Sequence, residues 1–326
     1  MNTIMVTGGA GFIGSHFIKS ILSSVDDSIK IVNVDKLTYA GNLNNLSDID
    51  DRIDYIFLRQ DICDYNEMKK IFGSFRPDYI INFAAETHVD RSIADSNEFI
   101  RSNVMGVQIL LQCALDSSIK KFVQVSTDEV YGPAYDGESF TEKAPLSPRN
   151  PYGASKAAAD LLVLSFYSTY GLPVNISRCT NNYGMGQHGE KFIPKAIAHL
   201  LKGKAIPIYG DGRQIRDWLY VEDHCRALGS ILFKGMPGEI YNISAYNPVE
   251  NIELIKLIIK YMNDMQEGSL GQLKHLIAFV EDRKGHDRRY SINSEKIRTD
   301  LGWEPLMPFE KGLYDTIRWY GKDLAK

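Results

Sequence analysis

The amino-acid sequence predicts an α/β protein in which a doubly wound parallel sheet is followed by a smaller, mixed α/β domain toward the C-terminal end. Short β-branched or aromatic runs recur in the first half, and segments with helical spacing lie between them. This alternation predicts a parallel sheet, because parallel neighbours need a crossover connection. The strands are almost continuously apolar, which fits a sheet covered on both faces. After Ser177 the regular alternation stops.

The elements follow in chain order. Strands are predicted at residues 3–6, 30–34, 54–58, 79–83, 121–125 and 174–177, with a further one at 239–243. Helices are predicted at residues 13–22, 65–72, 99–115, 152–167, 193–201, 251–262 and 308–320. The change of rhythm suggests two partly interleaved domains, one formed by 1–178 plus about 217–245 and the other by about 179–216 plus 246–326.

Composition limits the classes of partner. The 326 residues include 37 Lys and Arg against 41 Asp and Glu, a net charge of −4 that argues against a nucleic-acid-binding surface. The four cysteines are widely spaced, without a C-x-x-C pair suited to zinc or redox chemistry. The first residues do not resemble a signal peptide, and no apolar run approaches the roughly 18 residues of a membrane span. We therefore expect a cytoplasmic protein that binds no membrane.

A glycine-rich turn follows the first predicted strand. Gly8, Gly11 and Gly14 stand three residues apart where the strand passes into the first helix. Glycines let the backbone turn tightly and approach a pyrophosphate, which then sits against the free N–H groups of the helix. A glycine triplet alone also occurs in turns that bind no ligand. Its position between strand and helix predicts a Rossmann-type dinucleotide site.

Asp35 ends the second predicted strand, about 20 residues beyond the glycines, the spacing typical of a carboxylate that binds the adenosine ribose. This favours NAD over NADP, although Lys36 alongside leaves NADP open. The third and fourth strands end near residues 61–62 and 84–85, at the sheet edge where open α/β folds bind ligands. A helix N-cap is the competing interpretation of Asp61.

Tyr152 and Lys156 lie four residues apart at the start of a predicted helix, so their side chains share one face. A phenol near pKa 10 is a poor base, but a neighbouring ammonium and an oxidised nicotinamide both favour the phenolate. Tyr152 could then remove a proton from an alcohol while hydride leaves for NAD⁺. An amphipathic helix with Tyr and Lys at this spacing by chance is the competing interpretation.

Residues 125–132, VSTDEVYG, place two acids where the fifth strand should end. Neighbouring residues of a strand point to opposite faces, so Asp128 and Glu129 can serve one substrate only where the backbone leaves the extended form. We therefore expect the strand to end at or before Thr127. A solvated loop pair is the alternative, since it is the usual fate of adjacent acids.

These motifs resemble a known family. Gly8-x-x-Gly11-x-x-Gly14 with Tyr152-x-x-x-Lys156 resembles the extended short-chain dehydrogenase/reductases, whose nucleotide-sugar members share this architecture. Within that family, blocks along the whole chain closely resemble the dTDP-glucose 4,6-dehydratases: DKLTYAGN (35–42), AAETHVDRS (84–92), STDEVYG (126–132), RCTNNYG (178–184), RDWLYVEDHCRA (216–227) and DRKGHDRRY (282–290). The resemblance implies an NAD-binding first domain and a nucleotide-sugar-binding second domain.

The resemblance also assigns chemistry to the acids. A 4,6-dehydratase oxidises C4 of the hexose, removes the C5 proton, expels the C6 hydroxyl and returns hydride to C6. The resemblance implies that Asp128 is the acid at C6 and that Glu129 is the base at C5. It also implies that Thr127 donates a hydrogen bond to the C4 oxygen beside Tyr152. Asp128 must then be protonated near neutral pH, through desolvation or the nearby carboxylate.

The predicted site residues fall into three sets. The catalytic set is Thr127, Asp128, Glu129, Tyr152 and Lys156. The cofactor set is Gly8, Gly11, Phe12, Ile13, Gly14, Asp35, Lys36, Thr38, Asp61, Ile62, Ala84, Ala85, Tyr152, Lys156 and Asn182. The substrate set that the resemblance implies, for a nucleotide-diphosphate hexose, is Thr87, Asn181, Lys191, Phe192, Pro207, Tyr209, Arg216, Asn251, Arg283 and His286. Arginines suit phosphate because their planar fork donates two parallel hydrogen bonds.

Other features leave alternatives open. His88 and His286 belong to no ligand cluster, so we predict no metal. Residues 185–191 read MGQHGEK where the family commonly has Pro-x-Gln-aromatic-Pro-Glu-Lys, and Lys284 replaces a frequent proline. Both departures lie in the substrate half of the chain. They therefore weaken the assignment of the nucleotide base more than that of the reaction type. A mixed-charge solvated loop is the competing interpretation of residues 281–289.

Three function classes follow. The first is a 4,6-dehydratase, with dTDP-glucose as the expected substrate. The second is a UDP-sugar or other nucleotide-sugar dehydratase, epimerase or decarboxylase of the same fold, of which the epimerase is disfavoured by the two acids. The third is a non-catalytic nucleotide-binding or regulatory protein. The family resemblance also implies a homodimer, with helices 99–115 and 152–167 packed across the two-fold axis.

Overall fold

A computed structural model describes residues 2–24, 29–265 and 273–323. Within these residues the strands are β1 (Asn2–Thr7), β2 (Ile29–Asp35), β3 (Tyr55–Arg59), β4 (Tyr79–Asn82), β5 (Lys121–Thr127), β6 (Val174–Cys179), β7 (Asn181–Tyr183), β8 (Ile206–Tyr209), β9 (Ile215–Tyr220), β10 (Ile240–Ile243), β11 (Pro248–Glu250) and β12 (Ile277–Val280). The helices are α1 (Phe12–Ser24), α2 (Tyr65–Phe75), α3 (Val89–Ala94), α4 (Asn97–Ile100), α5 (Gly106–Asp116), α6 (Pro151–Tyr170), α7 (Phe192–Leu201), α8 (Val221–Lys234), α9 (Asn251–Met265), α10 (Glu295–Leu301) and α11 (Phe309–Asp323).

Seven strands form one parallel sheet in the order β10-β6-β5-β4-β1-β2-β3. The chain runs outward from β1 through β2 to β3 and then returns to place β4 on the other side of β1. The strand order therefore reverses between β1 and β4. Ligands of open α/β sheets bind in the crevice at this reversal, beyond the carboxyl ends of the strands.

Both faces of the large sheet are covered, which explains its nearly continuous apolar strands. Successive residues of β1 alternate between two cores, with Ile4 and Val6 in one and Met5 in the other. Helices α1, α8 and α10 cover the first face, and α2, α5 and α6 cover the second. The predicted doubly wound α/β fold is confirmed.

A smaller unit packs around a third core, which β8, β9, α7, α9 and α11 build together. Its strands form a three-stranded sheet, β11-β9-β7, and a two-stranded one, β12-β8. These strands are only three to six residues long. The short strands give too little periodicity to be recognised in the sequence.

All the predicted strands and helices are present, with ends that shift by a few residues. Helix 99–115 contains a π-turn at Arg101–Met105. Helix α10 lies with the larger unit although its residues were assigned to the smaller one, because Ile297 and Trp303 enter the core that covers β1. Residues 217–220 of β9, assigned to the larger unit, pair within the small sheet β11-β9-β7, and Trp218 and Tyr220 enter the third core. The other domain boundaries stay a prediction. In the described ranges, no helix has the length and apolar character needed to cross a membrane.

Candidate active site

The site is a cleft at the carboxyl ends of the parallel strands, where the strand order reverses. Its cavity of about 300 Å³ is lined by loops that follow β1, β2, β4 and β5, and by the start of α6. All fifteen residues of the predicted cofactor set, all five of the catalytic set, and Thr87, Asn181 and Lys191 line it. The structure thus brings together groups that the sequence separates by up to 183 positions, from Gly8 to Lys191.

The glycine turn forms one end of the cleft. Gly8 has a φ of +72°, and a Cβ there would lie 2.5 Å from the backbone nitrogen of Ala84. A Cβ on Gly14 would lie 2.5 Å from the carbonyl oxygen of Gly8. Helix α1 begins at Phe12, directly after this turn. The turn therefore has no room for side chains at Gly8 and Gly14, so a pyrophosphate could approach the first turn of α1, where N–H groups have no partner within the helix.

Asp35 stands beside the glycine turn at the end of β2. Its Oδ2 accepts a hydrogen bond of 3.0 Å from the backbone nitrogen of Ala10, and its Oδ1 accepts one of 2.8 Å from that of Leu37. Burial raises the pKa of this carboxyl, and the two backbone hydrogen bonds oppose the rise. The backbone thus holds an acceptor group where a ribose diol would reach it.

The side chain of Lys36 reaches the π-turn Arg101–Met105 and the carboxylate of Asp61. Its Nζ donates to Oγ of Ser102 over 3.2 Å and lies 3.6 Å from Oδ2 of Asp61. Asp61 does not cap α2, because the N-cap is Asp64, whose side chain accepts from the backbone nitrogen of Glu67. The N-cap interpretation of Asp61 is wrong. Its Oδ1 instead accepts the backbone N–H two residues on, at Cys63, over 2.9 Å.

Helix α6 carries the tyrosine and the lysine. Asn150 is its N-cap and Pro151 occupies its first turn, a combination that starts a helix firmly. Nζ of Lys156 donates to the carbonyl oxygen of Val125 over 2.6 Å, which ties the helix to β5. Burial lowers the pKa of Lys156 to about 8.

In the protein without cofactor or substrate, the side chain of Tyr152 is the neutral phenol. Burial, followed by the charge of Glu129, raises the pKa of Tyr152 well above its ordinary value, and a hydrogen bond with Thr127 acts in the opposite direction. Burial of Lys156 disfavours its ammonium form. Lys156 by itself therefore does not convert Tyr152 to the phenolate that the sequence led us to expect. The positive charge of an oxidised nicotinamide has to contribute.

The backbone leaves the extended form as predicted. Strand β5 ends at Thr127, and Asp128–Tyr131 form a 3-10 turn. Oγ1 of Thr127 accepts from the backbone nitrogen of Glu129 and donates to Oδ1 of Asp128, both over 3.2 Å. Asp128 is only 3% exposed, so a solvated loop pair is the wrong interpretation of the acids.

Asp128 has the environment of an acid that keeps its proton. Burial, with a contribution from the charge of Glu129, raises its pKa to about 8. Arg216 opposes this rise without cancelling it. A carboxyl of this kind can donate a proton near neutral pH.

Glu129 is held by groups from two directions. Nδ2 of Asn150 donates to its Oε2 over 2.8 Å. The hydroxyl of Tyr290 lies 3.4 Å from the same oxygen and 3.0 Å from Oδ2 of Asp287. Glu129 therefore sits between the start of α6 and the C-terminal part of the chain.

The π-turn in the helix beside the cleft places a buried amide. Nδ2 of Asn103 donates to Oγ of Ser155 over 2.9 Å and to the carbonyl oxygen of Glu86 over 3.0 Å. Its Oδ1 accepts from the backbone nitrogen of Glu86 over 2.8 Å. Asn103 thus fixes the loop after β4 against α6.

The predicted substrate residues continue from the cleft into the smaller unit. Nζ of Lys191 donates to both oxygens of Thr87, at 3.1 and 3.2 Å. Arg216 is buried over the ring of Tyr290 at 4.3 Å, and its described hydrogen bonds all go to backbone carbonyls. Its charge opposes the rise in the pKa of Asp128, and the charges of Glu129 and Asp128 in turn oppose the lowering of the pKa of Arg216 by burial. A cation without a carboxylate partner suits an anionic ligand.

Further residues of the substrate set form a polar group around the end of β8. The hydroxyl of Tyr209 donates to Oδ2 of Asp90 over 3.1 Å, and Arg283 lies 3.8 Å from the other oxygen of that carboxylate. The ring of His286 stands edge-on to Tyr209, with centroids 6.0 Å apart, and its Nδ1 lies 2.6 Å from Oδ1 of Asp282.

Not every predicted substrate residue borders the cleft itself. Those beyond its lining are Phe192, Pro207, Tyr209, Arg216, Asn251, Arg283 and His286. The ring of Phe192 stacks on Trp218 with centroids 6.4 Å apart, while the backbone of Asn251 donates to the carbonyl of Gln214 over 3.0 Å. Contact of these residues with a substrate stays a prediction.

Residues 185–190, here called the roof segment, cross the mouth of the cleft despite the loss of the family prolines. Nε2 of His16 contacts the carbonyl oxygen of Met185 at 2.9 Å, and the hydroxyl of Tyr39 donates to Oε1 of Glu190 over 3.0 Å. The guanidinium of Arg91 lies 3.9 Å above the ring of Tyr39. Polar contacts with His16 and Tyr39 thus hold the roof segment against the larger unit.

Several residues of the site were missed in the sequence. Asn150 could have been recognised, because an Asn before a Pro is a typical start of a helix. Tyr290 ends the block at 282–290, but nothing in the sequence relates it to Glu129. Glu190 and His224 give no local signal. Among the described residues, no group of three or more His, Cys, Asp or Glu side chains could hold a metal ion.

Comparison with known proteins agrees with this geometry. A family model described as GDP-mannose 4,6 dehydratase matches residues 5–316. A dTDP-glucose 4,6-dehydratase of Neisseria gonorrhoeae is 48% identical over 330 residues, which cover 97% of this chain and 95% of that protein.

Solved structures match over almost the whole chain. One is a dTDP-glucose 4,6-dehydratase of Bacillus anthracis in complex with NAD, 43% identical, with a TM-score of 0.90 and coverage of 100% of this chain and 98% of the other. Another is a dTDP-glucose 4,6-dehydratase of Streptomyces venezuelae with NAD and TDP bound, 43% identical, with a TM-score of 0.92 and coverage of 99% and 98%.

Proposed function

The chain belongs to the dTDP-glucose 4,6-dehydratase family, and we propose that it converts dTDP-glucose to dTDP-4-keto-6-deoxyglucose and water with NAD as its cofactor. One observation carries the proposal: the buried Asp128 and the partly buried Glu129 line the same cleft as Tyr152, Lys156 and the glycine turn. A dehydrogenase or an epimerase needs the tyrosine and the lysine. Elimination of water needs the acids as well.

The cleft suits NAD. The glycine turn lets a pyrophosphate approach the first turn of α1, whose N–H groups have no partner within the helix, and Asp35 offers carboxylate oxygens to a ribose. When bound, NAD⁺ supplies the acceptor for the C4 hydride and, after reduction, the donor that returns it to C6. The net reaction is then redox-neutral.

The first task of the protein is to take the proton of the C4 hydroxyl. Tyr152 is the proposed base, Thr127 holds the C4 oxygen through a hydrogen bond, and Lys156 lies one helical turn from the tyrosine. The placement of Thr127, Tyr152 and Lys156 in the lining of one cleft supports this arrangement.

The second task is elimination across C5 and C6. Once C4 is a ketone, the C5 proton is acidic. Glu129 takes that proton as the C5–H bond breaks, and a double bond forms between C5 and C6. Asp128 gives its proton to the departing C6 hydroxyl, which leaves as water. The buried, proton-retaining environment of Asp128 supports its role as the acid.

The diphosphate of the substrate is proposed to meet the cations of the smaller unit. Arg216 is buried among backbone carbonyls, and Lys191 reaches from the roof side toward Thr87. The remaining predicted contacts, from Phe192, Pro207, Tyr209, Asn251, Arg283 and His286, extend this surface toward the nucleoside.

A homodimer is part of the proposal. Helix α6 leaves Leu161 60% and Tyr170 57% exposed, and Met105 in the neighbouring π-turn is 55% exposed. Apolar side chains on two adjacent helices support pairing with a second copy. Sedimentation of wild type and Leu161→Glu would test it: a dimer that the substitution splits agrees, whereas a monomeric wild type contradicts it.

We also propose a cytoplasmic location. All four cysteines are free thiols, which supports a reducing compartment. Fractionation of cells that make the protein would test this, and recovery outside the cytoplasm would contradict it.

One assay tests the proposed function. The purified protein is incubated separately with dTDP-, UDP-, CDP- and GDP-glucose, and the products are identified by mass. Loss of one water from the dTDP donor is expected. Loss of water from another donor would change the nucleotide assigned to the substrate. Isomerisation of the sugar without a change of mass would indicate an epimerase. Loss of carbon dioxide from UDP-glucuronate, added as a further arm, indicates a decarboxylase. Binding of NAD without any turnover indicates a non-catalytic protein.

A further inference from the structure

A buried histidine lies behind the wall of the cleft without touching its interior. His224 is in the first turn of α8, is fully buried, and is absent from the cleft lining. Its Nδ1 lies 2.9 Å from Oδ1 of Asn182. Its Nε2 is buried without a hydrogen-bond partner. A buried ring with one bonded and one unbonded nitrogen raises the question of which nitrogen carries the proton.

The surroundings of Asn182 answer it. Nδ2 of this amide donates to the carbonyl oxygen of Thr180 over 3.0 Å and to Sγ of Cys179 over 3.5 Å. Turning the amide over would set its oxygen against the carbonyl oxygen of Thr180, which can only accept. Oδ1 therefore faces His224, and Nδ1 of the histidine must donate.

His224 is neutral in this position. Burial lowers the pKa of its ring to about 3. The ring has one proton, on Nδ1, and the hydrogen bond to Asn182 consumes it. All the polar groups of the Asn182 amide are then engaged, so its orientation is fixed from behind.

Asn182 forms part of the wall of the cleft that holds the catalytic residues. It lines the cleft together with Cys179 and Thr180, and Tyr152, Lys156 and Asp128 line the same cleft. The backbone carbonyl oxygen of Asn182 accepts from Nε2 of Gln187 in the roof segment over 2.8 Å. Rotation of the side-chain amide would therefore disturb the wall of the cleft, at the residue whose backbone holds the roof segment.

We propose that His224 is a positioning residue: as the Nδ1–H tautomer it locks the Asn182 amide, and so shapes the end of the cleft that receives the nicotinamide. The inference rests on the proposed function, because it assigns NAD to the cleft. His224 touches neither cofactor nor substrate and acts only through Asn182.

Two isosteric replacements separate this role from mere packing. The amide nitrogen of asparagine lies where Nδ1 of histidine does, whereas that of glutamine lies where Nε2 does. His224→Leu should weaken NAD binding by at least about tenfold, as expected when a buried acceptor loses its only donor. His224→Asn should restore affinity to within about threefold of wild type, and His224→Gln should resemble leucine. Affinity is measured by calorimetric titration with NAD, and the fold by circular dichroism.

A double-mutant cycle tests whether the effect passes through Asn182. In an Asn182→Leu background, His224→Leu should cause little further loss of NAD affinity. Full additivity would overturn the inference, and so would asparagine and glutamine variants that bind NAD equally well.

The wild type gives a test that needs no variant. ¹⁵N NMR of the histidine ring should find the proton on Nδ1, and a proton on Nε2 would overturn the inference even if the leucine variant failed to fold. Wild-type protein that does not bind NAD would instead refute the proposed function. Wild-type protein that binds NAD, with a leucine variant of equal affinity, would refute the role of His224 alone.

Discussion

Nδ2 of Asn150 donates a hydrogen bond of 2.8 Å to Oε2 of Glu129, while Oδ1 of the same side chain caps helix α6 through the backbone nitrogen of Gly153, also over 2.8 Å. One amide therefore joins the proposed C5 base to the start of the helix that carries Tyr152 and Lys156. The base and the alcohol-oxidising pair cannot move independently of each other.

Asn150→Asp should separate the two duties of this side chain. Aspartate is as good an N-cap as asparagine, so the helix should keep its start. Its carboxylate would repel Glu129 where the amide donated a hydrogen bond, and kcat should fall by about tenfold or more. Steady-state kinetics with dTDP-glucose would measure this. Asn150→Ser, which caps without adding charge, is the matched control and should lose less; equal kcat in the aspartate variant and wild type would contradict the link.

Glu129→Gln should block removal of the C5 proton. A general base contributes about 10²- to 10⁴-fold, and the loss of turnover should fall in that range. The reduced-nicotinamide absorbance should still rise when substrate is added, because C4 oxidation does not need Glu129. In deuterated water, wild-type product should gain deuterium at the sugar, and the variant should gain almost none. A glutamine variant that forms product at the full rate would show that another group is the base.

The activity should fall above about pH 8. Burial and Glu129 raise the pKa of Asp128 to about 8, so its donating proton is present below that pH and is lost above it. Lys156 loses its charge in the same range, because burial lowers its pKa to about 8. The profile of kcat/KM against pH, which reports the free enzyme, should therefore decline on the alkaline side.

Lys156→Arg distinguishes the two groups, since arginine stays charged throughout. Its profile should keep the decline that belongs to Asp128, at a lower absolute activity. If the variant has no alkaline decline at all, Asp128 is not the group that titrates.

Tyr39→Phe should loosen the roof segment without touching the reacting groups. The hydroxyl of Tyr39 donates to Glu190 over 3.0 Å, whereas the stacking of Arg91 needs only the ring. Loss of this one hydrogen bond should speed NAD dissociation by about three- to tenfold. Exchange of bound NAD for labelled NAD would measure the rate. Tyr39→Leu, which removes the stacking too, should release NAD faster still, and identical rates in all three proteins would contradict a retaining role for the contact.

The strands and helices of the large sheet could be predicted because their signals are local. An apolar run, a glycine turn or a Tyr-x-x-x-Lys spacing each lies within one short segment, and parallel topology then brings the carboxyl ends together. For this reason the glycine turn, Asp35, Tyr152 and Lys156 meet in the cleft as predicted. The break in the strand after Thr127 followed from the resemblance and geometry together, since the resemblance assigns both acids to one substrate and two adjacent acids on a strand diverge.

The rest depends on contacts between distant segments. Tyr290 reaches Glu129 across 161 positions, and Tyr39 reaches Glu190 across 151. Residues 295–301, which form helix α10, were placed with the second domain as part of 246–326, but Ile297 packs in the core of the large sheet, a partner that the local sequence does not specify. His224 looks like any histidine on a helix, and only the orientation of a neighbouring amide gives it a purpose.

The 3-10 turn Asp128–Tyr131 has an evolutionary consequence. It is four residues long and lies between the end of one strand and a loop, outside the sheet, the glycine turn and helix α6. Exchange of its two acids would leave the frame for hydride transfer in place. Ancestral proteins of this fold could thus have acquired or lost the elimination of water through one short segment, while the older oxidoreductive machinery was inherited unchanged.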